Sequence, residues 1–165
     1  QQRSIDVLNH EAQRLGVAGR IDARVGDMQH LEFADASFDL IWCEGAIAMM
    51  GVGGGLREWR RLFVPGGHLA MTEVCWLKPD PPPDCASFWA AEYPAIRDVP
   101  TLLSVIKECR YETVGHFTLP SSSWWDDYYR PLQQNIIEFR DRHHGELDAQ
   151  ELADQVQREI DVWHA

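Results

Sequence analysis

An α/β fold, with a mostly parallel sheet and flanking helices, is predicted by three features of the chain. Phe38-Asp39-Leu40-Ile41-Trp42 is a short, mostly apolar run of the kind that a sheet covered on both faces needs. Leu56, Trp59, Leu62 and Phe63 recur at helical spacing, with Arg57, Glu58, Arg60 and Arg61 off that stripe. Val64-Pro65-Gly66-Gly67 then suits a tight turn, since proline fixes φ and glycine accepts positive φ, and His68 to Val74 follows as an apolar strand. Strand, helix and strand with short links make a βαβ unit, which requires parallel pairing and a right-handed crossover.

Taken in order, the chain opens with a helix. Ser4 is a candidate N-cap, Ile5, Leu8, Ala12 and Leu15 mark one face, and Gly16 is a stop. Ile21-Asp22-Ala23-Arg24-Val25 alternates as a strand that ends at Gly26-Asp27. Gly51-Val52-Gly53-Gly54-Gly55 has the layout of a nucleotide-binding loop before a helix. No clear strand feeds directly into it and no Lys-Ser/Thr pair follows, so it reads instead as a flexible linker, and a candidate gate, before the helix from Leu56. A different nucleotide-binding enzyme built on this loop is the weakest alternative.

His68 to Leu77 is expected as one long strand through Trp76, with Glu73 at its carboxyl end. Lys78-Pro79-Asp80-Pro81-Pro82-Pro83-Asp84 reads as a stiff, exposed connection and the clearest boundary in the chain. Phe88, Trp89 and Tyr93 cluster around Pro94. A helix opened by Asp98 and Pro100 carries Leu102, Val105, Ile106 and Cys109 inward, and Tyr111 to Leu119 contains a further strand closed by Pro120. Asp148-Ala149-Gln150-Glu151 starts a last helix with Leu152, Val156, Ile160 and Trp163 as its stripe.

A length of 165 residues fits one domain. The formal net charge is −11, without a lysine- or arginine-rich run, which argues against nucleic acid or anionic membrane as partner. No apolar stretch is long enough to span a bilayer and no signal-peptide pattern opens the chain. Cys43, Cys75, Cys85 and Cys109 show no metal-ligand spacing and read as small apolar fillers in a reducing cytoplasm. His143-His144 has no ligand spacing either, so no metal site is expected.

Gly26-Asp27-Met28, then Ser37 to Trp42, then Leu62-Phe63-Val64-Pro65-Gly66-Gly67 before an apolar strand, resemble in order and spacing the class I methyltransferases that use S-adenosylmethionine. The likeness is closest to the small-molecule branch that includes quinone and sterol methyltransferases, and it covers residues 5 to about 120 well. It implies a Rossmann-like sheet and S-adenosylmethionine as cofactor. The family's first two strands and its glycine-rich cofactor loop are expected upstream of Gln1, and its last strand has no candidate after Leu119, so the fold is expected to be incomplete at both ends. On that reading the chain is one partial domain, with residues 1–79 on the cofactor side and 80–165 on the substrate side. It is expected to be inactive alone, and unpaired strand edges should make it marginal or self-associating.

By the same resemblance, Asp27 accepts a hydrogen bond from the adenine amino group and Met28 meets the ring edge, although Gly-Asp turns a chain anywhere. Cys43-Glu44-Gly45 borders the methionine part of the cofactor; Glu44 alternatively caps the segment that follows. His30, Glu32 and Asp35 are read as solvated. Trp124, Trp125, Tyr128 and Tyr129, beside Asp126 and Asp127, either line a pocket for a flat or cationic acceptor or simply pack. The implied reaction is displacement of the sulfonium methyl by a small-molecule nucleophile, which depends mostly on alignment. Should a base be needed, Glu44, His116 and Asp127 are the candidates in that order. The competing reading is a non-enzymatic α/β binding module that has lost the cofactor loop and recruits a partner through the last helix.

Overall fold

The computed structural model describes residues 2–164. Its centre is the βαβ unit. Strand β1 (Phe38–Glu44) pairs in parallel with β2 (Phe63–Thr72), and helix α2 (Val52–Trp59), continued by a 3-10 turn at Arg60–Leu62, makes the crossover. The register sets Ile41 opposite Leu69 and Cys43 opposite Met71. These side chains face a core formed by Ile47, Val52, Leu56, Trp59, Leu62, Leu102 and Cys109. The Pro65-Gly66 turn is present, but it lies inside β2 as a bulge. Phe63 pairs with Phe38 and His68 with Leu40, so four residues of β2 bow out opposite Asp39, with Gly66 at a φ of 82°.

The expectation of a sheet covered on both faces is corrected. Alternation along β1 turns Leu40 and Trp42 to the face opposite the core, where they are 50% and 67% exposed. Two further expected strands do not form ladders. Residues 22–26 and 112–119 run without helix or strand assignment, and among the described residues no backbone hydrogen bond ties them to a neighbour. Their apolar residues stay in solvent, Val114 and Phe117 most of all. A strand exists only where a partner supplies the other half of its hydrogen bonds, which alternation in the sequence cannot show.

Helix α1 (Gln2–Arg14) starts before Ser4, so Ser4 is not its cap; Gly16 does end it, at a φ of 70°, with the Val17 N–H reaching back to the Ala12 carbonyl at 2.9 Å. The glycine run is no flexible linker. Gly51 is the N-cap of α2 and the next three glycines lie in its first turns, where a Cβ on Gly55 would come within 2.7 Å of Ile47 Cγ1. Glycine there allows the preceding turn, Ile47–Met50, to lie against the helix.

The long strand to Trp76 breaks after Thr72. Cys75–Trp76 (β3) pairs instead with Arg97–Asp98 (β4), also in parallel. The proline-rich connection ends sooner than expected, because Pro83 opens helix α3 (Pro83–Glu92) from a first-turn position that needs no N–H. Helix α4 (Val99–Glu108) is capped by Asp98, whose Oδ1 accepts from the Thr101 N–H at 2.8 Å, and it buries Leu102 as expected.

Beyond residue 120 the chain is helical. Helix α5 (Ser121–Trp124) runs through a π-helical turn at Trp125–Tyr129 into α6 (Arg130–Arg142), and α7 (Leu147–His164) packs on α6 and α3. Its expected stripe holds at Val156, Ile160 and Trp163 and fails only at its start. Ala153 and Ile160 are buried while Leu152 is 52% exposed. The helix begins at Leu147, so Asp148 lies inside its first turn and does not cap it. Gln150 instead donates from Nε2 to the Arg140 and His143 carbonyls at the end of α6.

Candidate functional site

The carboxyl tips of β1 and β2 are locked together. Glu44 pairs with Thr72, and the Gly45 N–H donates to Thr72 Oγ1 at 2.9 Å, with Gly45 at a φ of 58°. Cys43 is buried in the core, while Glu44 points its carboxylate to solvent beside the tip. The capping role for Glu44 is excluded, since Ala46 precedes the 3-10 turn and no side chain caps it. An exposed carboxylate at the carboxyl end of a parallel strand is where open α/β sheets receive ligands.

Asp27 forms the turn that its sequence allowed. Its Oδ1 accepts from the Gln29 N–H at 2.9 Å and its Oδ2 faces His30 Nδ1 at 3.3 Å. The Gln29 N–H first, and His30 second, hold its pKa below the ordinary carboxylate value. Met28 packs against the core, and its carbonyl accepts from Trp59 Nε1 at 3.3 Å, so α2 positions the segment that carries Asp27. Arg61 continues the clamp by donating to the Leu31 and Phe33 carbonyls, 2.8 Å each, and to Asp35 at 3.1 Å. Asp35 is therefore an ion-pair partner as well as a solvated acid.

One group at these tips was under-read in the sequence. Glu73, directly after β2, has a buried Oε2 with no hydrogen-bond partner among the described residues. It lines a cavity of about 10 Å³, room for about one water, together with Cys75, Tyr93, Arg97 and the first residue of α2. Burial raises the Glu73 pKa, against the smaller lowering by the Tyr93 hydroxyl and the Val74 N–H. Burial first, then Glu73, pushes Tyr93 up to about 12. The signal available in the sequence was an acid at the carboxyl end of a strand; the enclosing side chains come from residues about twenty positions on.

A raised carboxyl pKa means that the folded state holds its proton more tightly than the unfolded chain, whose value is near 4.5. That contribution favours folding below pH 4.5 and is lost as pH rises through the folded pKa. Glu73→Gln is accordingly expected to stabilise the protein at pH 7 by about 1 kcal/mol and to flatten the fall in stability above pH 4.5. Urea denaturation at several pH values measures both; a variant less stable than the parent at pH 7 contradicts the assignment.

The aromatic group is packed as a unit. Trp124 stacks on Tyr129 at 6.1 Å between centroids, Tyr129 meets Trp163 of α7 at 5.1 Å, and Trp125 meets His164 at 4.6 Å. Tyr129 is buried, and its hydroxyl donates to Glu159 Oε1 at 3.1 Å. Trp124 and Tyr128 keep exposed surface, and neither cavity described for this chain is lined by any of the four. His116 stands on the exposed extended segment, and Asp127 is exposed on the π-helical turn. Neither of them lines the small cavity at Glu73.

Residues 1–71 match the family described as a methyltransferase domain. Over 71 residues the chain is 34% identical to Methyltransferase GfsG of Streptomyces halstedii, a span that is 42% of this chain and 26% of that protein. A methyltransferase of Geobacter sulfurreducens solved with S-adenosylhomocysteine superposes with a TM-score of 0.75 at 23% identity, over 94% of this chain and 63% of its own. The [4+2]-cyclase SpnF superposes with a TM-score of 0.71 at 21% identity, over 97% and 57%. The chain thus spans about a quarter of its curated relative and under two thirds of either structure. The two solved structures show a shared fold, and the family match covers residues 1–71, less than half of this chain. The matched residues 1–71 hold Asp27 and both paired strands up to Met71.

Proposed function

We propose that this chain is part of an enzyme that transfers a methyl group from S-adenosylmethionine to a small-molecule acceptor. The observation that carries this reading is the family match over residues 1–71, which spans Asp27, whose carboxylate oxygens face the Gln29 N–H and His30, and Glu44, whose carboxylate is exposed at the β1 tip. Those acceptors suit the adenine amino group and the ammonium of the cofactor respectively. Cys43 and Met28 give the same region an apolar wall. A donor cradle for the cofactor's carboxylate is not supplied by the glycine run, since Gly51 to Gly55 are used to start α2. The residues fit the cofactor in part.

When bound, the cofactor supplies a methyl already activated by the sulfonium, so the protein's task is alignment. Thr72 and Gly45 fix the spacing of the two tips, and Glu44 is then held where an acceptor proton could be taken. Trp124 and Tyr128, exposed on the helical layer, remain the proposed aromatic contribution to the acceptor side, with Trp125 and Tyr129 supporting them by packing. The chain alone is proposed to bind the cofactor weakly, and to associate through the free edges of β1 and β2 and the open face at Leu40 and Trp42.

Calorimetric titration with S-adenosylhomocysteine tests the site. The expected affinity is weak, in about the millimolar range, and falls roughly tenfold further in Asp27→Asn and Glu44→Gln but not in His116→Gln. Affinity unchanged in both carboxylate variants refutes the site, while micromolar binding refutes the weak cradle. Light scattering on the same sample checks association, and a stable, cooperative monomer excludes it.

A further inference from the structure

A groove beside β3 and β4 has a volume of about 600 Å³, within the range of small-molecule sites. Trp76 of β3, Pro81, Pro94 and Ile96 give it an apolar lining, and the prolines hold their part of the wall in a fixed backbone shape. Lys78 and Arg97 stand on the same lining, both exposed, and neither is in an ion pair among the described residues. Asp98 also lines it, with one carboxylate oxygen given to the Thr101 N–H as the cap of α4. The charged side chains of the groove therefore sum to +1, in a chain whose net charge is −11. Local positive charge maintained against that background attracts anions. Arg97 lines this groove and also the small cavity at Glu73 and Tyr93, so the groove adjoins the carboxyl end of β2.

We propose that this groove binds an apolar acceptor bearing a carboxylate, with the flat apolar part against Trp76 and the anion between Lys78 and Arg97. The proposal rests on the methyl-transfer reading for the word acceptor, and on the groove itself for the ligand class. Two exposed cations on one anion give a modest gain, about tenfold in affinity for the charged form.

The probes are 2-naphthoate and its neutral amide, 2-naphthamide, titrated calorimetrically into residues 1–165 at low salt and again at about 0.5 M salt. The expected result is binding of both, with naphthoate favoured by about tenfold at low salt and by much less at high salt. Lys78→Met with Arg97→Gln is expected to abolish that preference while leaving amide binding and the circular dichroism spectrum unchanged, and Arg3→Gln, a control at a cation of α1, is expected to keep it. Equal affinity for the two probes overturns the proposal, as does a preference that survives in the double variant. Because no cofactor is present in these titrations, naphthoate bound as expected, with S-adenosylhomocysteine affinity unchanged in Asp27→Asn and Glu44→Gln, would refute the proposed cofactor site and leave the groove standing.

Discussion

Trp59→Ala is expected to lower the free energy of unfolding by about 3–5 kcal/mol, read as a shift in the urea midpoint with the slope unchanged. Trp59 is 3% exposed and closes the core between α2 and the sheet, with Leu56 and Leu62, both fully buried, on either side of it along the chain. Truncation removes the apolar contacts of the indole and leaves a cavity that close neighbours can fill only in part. Domains of this size are stable by about 5–15 kcal/mol, so the loss is a large share of the total. A second variant separates packing from positioning. Trp59→Phe retains most of the ring and deletes the hydrogen bond to the Met28 carbonyl, a loss of about 1 kcal/mol. Its larger effect should be local, as faster hydrogen exchange at Met28 to Leu31, the segment following Asp27. If exchange there is unchanged, Trp59 is packing alone and does not hold the candidate adenine-side segment.

This coupling between core and site explains which parts of the protein were legible in its sequence. The βαβ unit could be read because its signals are local. Phe38 to Trp42, the Leu56–Trp59–Leu62 stripe and Pro65-Gly66 each state their conformation within a few residues, and all three stand in the structure. The α4 cap was equally readable, because Asp98 acts on Thr101 three positions away. The failures share a cause. Ile21 to Val25 and Tyr111 to Leu119 alternate correctly, yet a ladder depends on a neighbour that the segment does not encode. The helix from Ser121 to Arg142 was missed because its aromatic start obscures the period and a π-helical turn shifts the phase by one residue. Glu73 was placed at a strand end but not recognised as buried, since Tyr93 and Arg97 reach it across β3 and α3. Glu44 was legible as an acid at a strand tip, whereas Asp27, read as following a strand at Ile21 to Val25, stands in a turn after an unpaired segment, with its oxygens engaged by Gln29 and His30.

The helical layer poses the opposite question, whether it is stable because of the sheet or in its own right. Ile160 is fully buried, Ala153 lies two turns before it on the same face of α7, and Cys85, Tyr129 and Ile136 are buried in the helices around them. None of these five belongs to the cluster that packs on β1 and β2. The layer therefore has its own apolar centre, joined to the sheet by the chain and by comparatively few side chains. Ile160→Ala is expected to cost about 2–5 kcal/mol by the loss of buried methyl and methylene groups together with the cavity they leave. Where that cost falls is the informative part. With a separate centre, the loss should appear as earlier melting of helix by circular dichroism at 222 nm and faster exchange along α6 and α7, while the amides of β1 and β2 keep their protection. Probes of helix and sheet would then no longer coincide, which departs from all-or-none unfolding. A single transition lowered equally at every probe would show instead that Ile160 and Leu56 support one cooperative unit. In that case the helical layer could not loosen without the strand tips loosening with it.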